Sequence, residues 1–435
     1  CKMSIFTSMN CKIYNLTPKT QILPAFLEKS ERKKLLEDDS YHLIQEGYFP
    51  HICSSLRISP DQQSILATGQ YPHQVRLFDL ENSTVKFQRN QHAETVDATF
   101  LGSDWRKFAL VLDDKSVEVH NHQGKVFSSK LPKPARTMCF DTHEATLCVG
   151  GTSSNIYRLD LYKGLFRSNF QLTCEHVNQL KYYKELELLM ACCDNQLAVI
   201  DHRVEKQTNQ IECKNVTSVA FDKQKLILGT AGSEILVYDI RSSQPLHRLS
   251  QFTHPIKQLE FAECNGEKLL LAADLRQMKC FTPAWEQKFT IEPGYGINNF
   301  GLFAGSGLIA MACEHQFINL FYVPELGPAP KFAKDLDQQV LNLDIQQQSG
   351  EFANYKFCTR QELEAMGLAA LVESGQVVTY MHGFYVPKDL YRKQIQKEIG
   401  KDLKTKREEA KQKQVQEKQD VNARKARKDD RFDEE

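Results

Sequence analysis

The sequence has no run of roughly eighteen apolar residues and no basic N-terminal region leading into an apolar core, so it reads as neither membrane-spanning nor secreted. Its 13 cysteines are an odd number, they stand singly or as the adjacent pair Cys192 and Cys193, and none form a CxxC spacing. That excludes a zinc ribbon and a paired disulfide framework. Most lie in apolar runs such as TLCVGG and LLMACC, where a reduced thiol acts as a small hydrophobe. A reducing compartment, cytosol or nucleus, is expected. The chain begins at Cys1 instead of a methionine, and its natural start is expected to be missing or processed.

Catalytic signatures are missing as well. No GxxxxGK[ST] loop occurs, and GYGINNFG lacks the lysine and the strand-to-helix setting of a phosphate cradle. Gly305, Ser306 and Gly307 lack the flanking GxSxG spacing of a nucleophile elbow. The 13 histidines include no HExxH and no Cys/His cluster, so no metal-ligand set presents itself. Asp113 with Asp114, and Asp429 with Asp430, are adjacent carboxylates in turn or tail positions, which point apart more often than they share a proton. The expectation is a protein without catalytic, cofactor-binding or metal-binding residues, without a small-molecule substrate and without a membrane partner.

What is present is a repeat. Apolar residues make up 41% of the chain, enough for a real core. Seven segments share one pattern of strand, turn and strand: ILATGQYPHQVRLFDL, KFALVLDDKSVEVHNH, TLCVGGTSSNIYRLDL, LLMACCDNQLAVIDHR, KLILGTAGSEILVYDI, LLLAADLRQMKCFTP and LIAMACEHQFINLFYV. With Asp79, Asn121, Asp160, Asp201, Asp239, Thr282 and Tyr322 as equivalent marks, the copies are 42, 39, 41, 38, 43 and 40 residues apart. That is the spacing of WD40 blades, each of four short antiparallel strands. Alternating stretches such as TVDATF, ARTMCFD and VTSVAFD supply a strand before each pair, and more polar ones such as TVKFQRN and PLHRLSQ supply an outer strand after it. The tryptophan of the Trp-Asp pair is replaced throughout, although Asp79, Asp160, Asp201 and Asp239 remain. A histidine ahead of the first strand survives only at His92 and His254. These residues, and Asp239 with Arg241, are expected to hold turns in place.

The predicted fold is therefore an all-β, seven-bladed WD40-type β-propeller over residues 51–325. The last copy has no outer strand behind it, and Cys11 to Leu16, within residues 1–17, is expected to join that blade and close the ring. Residues 18–50 read as a helical insertion, with Phe26, Leu27, Leu35, Leu36, Leu43 and Ile44 apolar and Lys29, Arg32, Lys33 and Lys34 clustered. It could pack on its own propeller or reach a partner. Residues 326–387 follow as a docking segment. Three prolines end the sheet pattern in VPELGPAPKFAKDLD, and Thr359 with Glu362 forms a capping box for a short helix carrying Leu363, Met366, Leu368 and Leu371.

The stretch YMHGFYVPKDLY then concentrates aromatic side chains. Tyr380, Met381, Phe384 and Tyr385 are expected to dock on the propeller or a partner, each fully buried large side chain contributing roughly 1.5–3 kcal/mol. His382 beside Gly383 is expected to make one hydrogen bond in a tight turn. From Lys388 to Lys428, fifteen Lys or Arg stand against seven Asp or Glu, net +8, leaving −8 on the rest of a chain whose total is zero. Residues 388–435 read as a helical or disordered basic arm. Its candidate phosphate or partner contacts are Arg392, Lys393, Lys397, Lys401, Lys404, Lys406, Arg407, Lys411, Lys413, Arg424, Lys425, Arg427 and Lys428. Such an arm neutralises phosphates without reading sequence. It has no aromatic residue between Tyr391 and Phe432 on which a base could stack. RKARK, Arg424 to Lys428, has the character of a nuclear import signal.

Several motifs together resemble the nucleolar protein ten family of WD40 proteins: KIYNLT, LIQEGYFPHICSSLRISPDQQSILATGQYPHQVRLFD, EILVYDIRSSQPL, YVPELGPAP, YKFCTRQELEAMGL, YMHGF and DDRF. They span nearly the whole chain and lie partly outside the repeat. The resemblance implies a noncatalytic scaffold of the small-subunit processome, resident in the nucleus and nucleolus. Its implied partners are other assembly factors of the 90S pre-ribosome, precursor ribosomal RNA and the U3 small nucleolar RNA. Family members continue past DDRF, whereas this sequence stops at Glu435. The repeat alone also allows a general WD40 adaptor, such as a ubiquitin-ligase receptor or a coat subunit.

Overall fold

Alternation of apolar and polar residues in the repeat produces seven antiparallel sheets of four or five strands in the computed structural model. The structure describes residues 4–9, 11–17, 43–44, 47–201, 206–333 except 223, 243 and 265, 335–347, 355–360, 363, 378–380 and 383–387. The chain forms two compact units, Cys1–Leu336 and Asp337–Glu435.

Blades 1 to 6 of the first unit are meanders whose first strand is innermost, and blade 7 is completed by N-terminal strands. Blade 1 runs through Ile52–Ile58, Ser64–Gln70, Gln74–Asp79 and Thr84–Asn90, and its strands pair in that order. The second strand is buried along nearly its whole length, whereas the outer strand alternates between half-buried and exposed. Those two patterns match the apolar run SILATGQ and the polar alternation TVKFQRN. Blades 2, 4, 5 and 6 repeat the four-strand plan.

Blade 7 is Ile297–Leu302, Leu308–Cys313 and Asn319–Tyr322, and Cys11–Asn15 pairs antiparallel with its third strand through Tyr14 with Tyr322 and Asn15 with Phe321. Tyr14, Tyr322 and Phe321 are essentially fully buried there. A fifth strand, Ser4–Ser8, lies outside Cys11–Asn15, and the Ser8 hydroxyl accepts the Thr290 amide of blade 6 at 3.0 Å. The alternation in SIFTS is too short and polar to have marked this strand in advance.

Blade 3 departs from the plan. Its outer strand is two short pieces, Leu165–Phe166 and Phe170–Gln171, both paired with Ser153–Asp160. Between them the Arg167 side chain turns to Asp160 and Glu144, while its amide still donates to the Arg158 carbonyl at 2.8 Å.

The blades are joined at the inner wall by side chains at repeat-equivalent positions. The Met138 amide donates to Asp97 Oδ2, the Leu180 amide to Thr137 Oγ1, the Val219 amide to Gln179 Oε1 and the Phe300 amide to Gln258 Oε1, at 2.9 to 3.1 Å. Each is a side chain on one innermost strand capturing a backbone N–H of the next. A second layer runs from Asn178 to the Val216 carbonyl, Thr217 to Ile256, Lys257 to Ile297 and Asn298 to Cys53. The last of these ties blade 7 to blade 1. Buried backbone groups must be paired, and here the pairing also holds neighbouring blades in register.

Past the ring come a 3-10 turn at Lys331–Ala333 and a helix, Asp335–Gln347, in which Leu336, Val340 and Leu341 are buried. The helix was not expected, because its polar residues outnumber a thin apolar stripe. The second unit contains a three-stranded antiparallel sheet with Gly383–Pro387 between Tyr355–Thr359 and Val378–Tyr380. Arg360 and Leu363 of the expected capping-box helix are helical; the rest of it lies outside the described residues. So do residues 388–435 with every candidate contact of the basic arm, and all the insertion except its final residues.

Candidate interaction surfaces

Four ionisable side chains face one another around the ring axis. Arg57 donates to Asp97 Oδ1 at 2.8 Å and to the Ala98 carbonyl at 3.1 Å. The Asp97 carboxylate raises the Arg57 pKa, against the opposing effect of burial. Lys181 reaches the Val219 carbonyl at 3.3 Å and, across blade 5, the Leu259 carbonyl of blade 6 at 3.1 Å. Burial lowers its pKa, opposed by Glu260, whose Oε1 accepts from Gln258 at 2.9 Å. Lys181 can span two blades because Ala220 holds the equivalent place in blade 5. These charges brace the wall.

The thiols behave as the sequence suggests. The cysteines from Cys11 onward are all buried and free, and burial pushes Cys53 and Cys192 up and carries Cys313 up to about 12. A reactive cysteine needs the opposite shift; only the paired Cys174 moves that way among the shifted thiols, lowered by its hydrogen bond with Cys193, whose own thiol is pushed up. No group of three or more His, Cys, Asp or Glu residues that could hold a metal occurs among the described residues, and no described helix is long and apolar enough to cross a membrane.

The aspartates ending the third strands cap turns. Asp160 accepts the Tyr162 and Lys163 amides and a two-pronged contact from Arg167 Nε and Nη2 at 3.0 and 2.9 Å. The Arg167 hydrogen bond holds the Asp160 pKa below the ordinary carboxylate value. Asp239 accepts the Arg241 amide at 3.0 Å, so Arg241 takes part through its backbone. His92 contacts Asp114 at 2.8 Å.

Of the candidate docking residues, Tyr380 pairs with Gly383, and Phe384 and Tyr385 lie on the central strand of the small sheet opposite Cys358 and Phe357. Phe384 is half-buried. Met381 and His382 lie outside the described residues.

Two exposed groups were not singled out in the sequence. Where blade 7 meets blade 1, Tyr295 stacks on His315 with ring centres 4.2 Å apart, His315 lies 5.7 Å from Phe317, and Phe317 5.4 Å from Tyr48. Tyr71 stands beside them between His51 and His73. Burial lowers the His315 pKa, favouring the neutral imidazole. Leu43 and Ile44, the end of the insertion, line a small cavity with Leu16, Phe317 and Leu320, so that end of the insertion packs on the closing blade. The second group, beside blades 2 and 3, contains Val126, Tyr162, Leu165 and Phe166.

Comparison with known proteins places this architecture. The family model described as "Nucleolar protein 10-like, N-terminal domain" matches residues 4–347, and that described as "Nucleolar protein 10-like, second domain" matches residues 352–397. "Nucleolar protein 10" of Danio rerio is 33% identical over 414 residues, 90% of this chain and 57% of the relative. "Nucleolar protein 10" of Homo sapiens is 30% identical, covering 90% and 60%. "Ribosome biogenesis protein ENP2" of Saccharomyces cerevisiae is 29% identical over 395 residues, 87% and 56%. The chain thus spans somewhat more than half the length of these relatives. The propeller match alone covers most of the sequence, and the adjoining match takes in the small sheet: the chain belongs to the nucleolar protein 10-like family.

Proposed function

We propose that this protein is a noncatalytic assembly factor of ribosome biogenesis that works in the nucleolus, on the small ribosomal subunit. The observation carrying this reading is family membership across both units, with a relative named as a ribosome biogenesis protein. The ring supports it: inner-wall charges are consumed by backbone carbonyls and by one another, burial keeps the Cys53, Cys192 and Cys313 thiols protonated, and exposed apolar side chains sit at the rim.

In this reading the propeller grips other assembly factors of the 90S pre-ribosome, and the arm from residue 388 onward lies along precursor ribosomal RNA or the U3 small nucleolar RNA. Arg392, Lys393, Lys397, Lys401, Lys404, Lys406, Arg407, Lys411, Lys413, Arg424, Lys425, Arg427 and Lys428 would neutralise phosphates. The aromatic segment Tyr380 to Tyr385, with Met381 and His382, would serve protein docking. Counterion release makes such RNA contact steeply salt-dependent.

The test is purification of the tagged protein from growing cells, followed by sequencing of bound RNA. Enrichment of small-subunit precursors with U3 is the expected result. A protein that enriches neither, while its nuclear level is normal, would exclude this function and leave the general adaptor.

A further inference from the structure

We propose that the groove between blades 2 and 3 is a docking site for an acidic protein segment bearing apolar side chains. The groove is a cavity of about 1070 Å³ open on the side of the turns after the first and third strands, with Phe100, Val126, Phe127, Phe140 and Tyr162 among its walls. Its rim is unusually apolar for a surface. Of its lining residues Val126 is 70% exposed and Tyr162 87%, and directly after the lining Gly164 the chain continues with Leu165 at 66% and Phe166 at 42%. Single exposed hydrophobes need no explanation, but a contiguous group bordering a cavity marks an interaction site.

The local sequence builds this rim. Gly164 takes a φ of +66°, a conformation glycine adopts freely, and its amide donates to the Asp160 carbonyl at 2.8 Å. Asp160 meanwhile accepts the Tyr162 amide. The resulting tight turn leaves the Tyr162 ring projecting. The broken outer strand of blade 3 then places Leu165 and Phe166 at the edge instead of under a continuous polar strand.

Charge selects the occupant. The ionisable residues lining the cavity are Lys107, Lys184, His120 and Asp160. Asp160 is neutralised by Arg167. His120 is buried against Glu118 at 3.0 Å, and burial lowers its pKa. The side-chain ammonium groups of Lys107 and Lys184 have no hydrogen-bond or ion-pair partner among the described residues. The groove therefore offers apolar walls and two uncommitted positive charges, the complement of a segment in which carboxylates flank leucine or phenylalanine. Its apolar area sets it apart from a phosphate-binding surface, which would need cations in a row and few greasy neighbours. The site requires only that the propeller bind protein, so its failure would leave the nucleolar role standing.

The test uses the full chain and fluorescent synthetic peptides of alternating glutamate and leucine–phenylalanine pairs, measured by anisotropy. Controls replace every glutamate by lysine, or every apolar residue by serine, and a uridine oligonucleotide serves as an RNA probe. The double variant Tyr162→Ser, Leu165→Ser changes only exposed side chains and should keep the wild-type circular dichroism and melting temperature. It is expected to weaken the acidic peptide about tenfold. Lys107→Glu with Lys184→Glu is expected to weaken that peptide by about as much and to strengthen the lysine peptide, an inversion that general damage would not produce. Equal binding of the acidic peptide by wild type and both variants would overturn the proposal. So would a preference for the uridine oligonucleotide, or self-association in sedimentation that both variants abolish.

Discussion

The inner wall of the ring and the outer edge of blade 3 are built from the same repeat and do opposite things with it. At the wall, polar side chains at equivalent positions are spent on the neighbouring blade: Asp97, Thr137, Gln179 and Gln258 each capture an amide one blade on. At the edge of blade 3 the regular outer strand is interrupted, and apolar side chains remain exposed. The lesson is that obedience to the repeat identifies structural side chains, and departure from it identifies the surface available for recognition.

The largest expected effect tests the closure on which the wall depends. Tyr14 is fully buried against the last blade, its ring 6.5 Å from that of Tyr322, and Tyr14→Ala should cost about 3–5 kcal/mol by analogy with other large aromatic truncations. Equilibrium urea unfolding measures it. A loss below about 1 kcal/mol would mean that the N-terminal strand is not integral to the ring.

Next comes the wall itself. Gln258 serves both the Phe300 amide and the Phe300 carbonyl, at 3.0 and 2.9 Å, and Gln258→Ala leaves both without a side-chain partner, for a loss of about 1–3 kcal/mol. Ser218 occupies the equivalent place in blade 5, and its hydroxyl has no hydrogen-bond partner among the described residues. Ser218→Ala should therefore be neutral or stabilising. Equal losses at the two positions would show that the cross-blade bonds are incidental.

A smaller effect is expected from the Asp160 turn, and it has a pH signature. Because the Arg167 hydrogen bond lowers the folded Asp160 pKa, its stabilisation is complete above the ordinary carboxylate value and disappears as pH falls through the lower folded value. Asp160→Asn should be less stable than wild type at neutral pH, with the gap closing only below about pH 4. Thermal melts across that range would reveal it. A gap independent of pH would assign the loss to packing. Smallest of all, Tyr162→Ser should change folding stability by no more than about 0.5 kcal/mol, in contrast with Tyr14.

The strand pairs of all seven blades were legible because their apolar second and third strands recur every 38 to 43 residues. The polar ring on the innermost strands was equally periodic, with Asp97, Thr137, Gln179, Ser218, Gln258 and Asn299 spaced by 39 to 42, and aligning those strands would have exposed it. The helix at Asp335–Gln347 escaped notice because asparagine, aspartate and glutamine dominate it. The sheet of the second unit escaped because Tyr355–Thr359 and Val378–Tyr380 are separated by a helix-like sequence. The groove at blade 3 could not be read from sequence, since Val126 and Leu165 are ordinary strand residues until a broken neighbour leaves them uncovered. YMHGFYVPKDLY was conspicuous, and its Gly383–Pro387 portion proves to be the central strand of a sheet.

The most direct test of a rigid wall carrying a binding edge is native-state hydrogen exchange on the full chain, with and without the acidic peptide. The amides of Met138, Leu180, Val219 and Phe300, held by side chains of the preceding blade, should exchange only through global opening and ignore the peptide, whereas those from Tyr162 to Arg167 should exchange readily and slow when it binds. Wall amides exchanging as fast as the edge, or an edge indifferent to the peptide while the wall responds, would contradict the account.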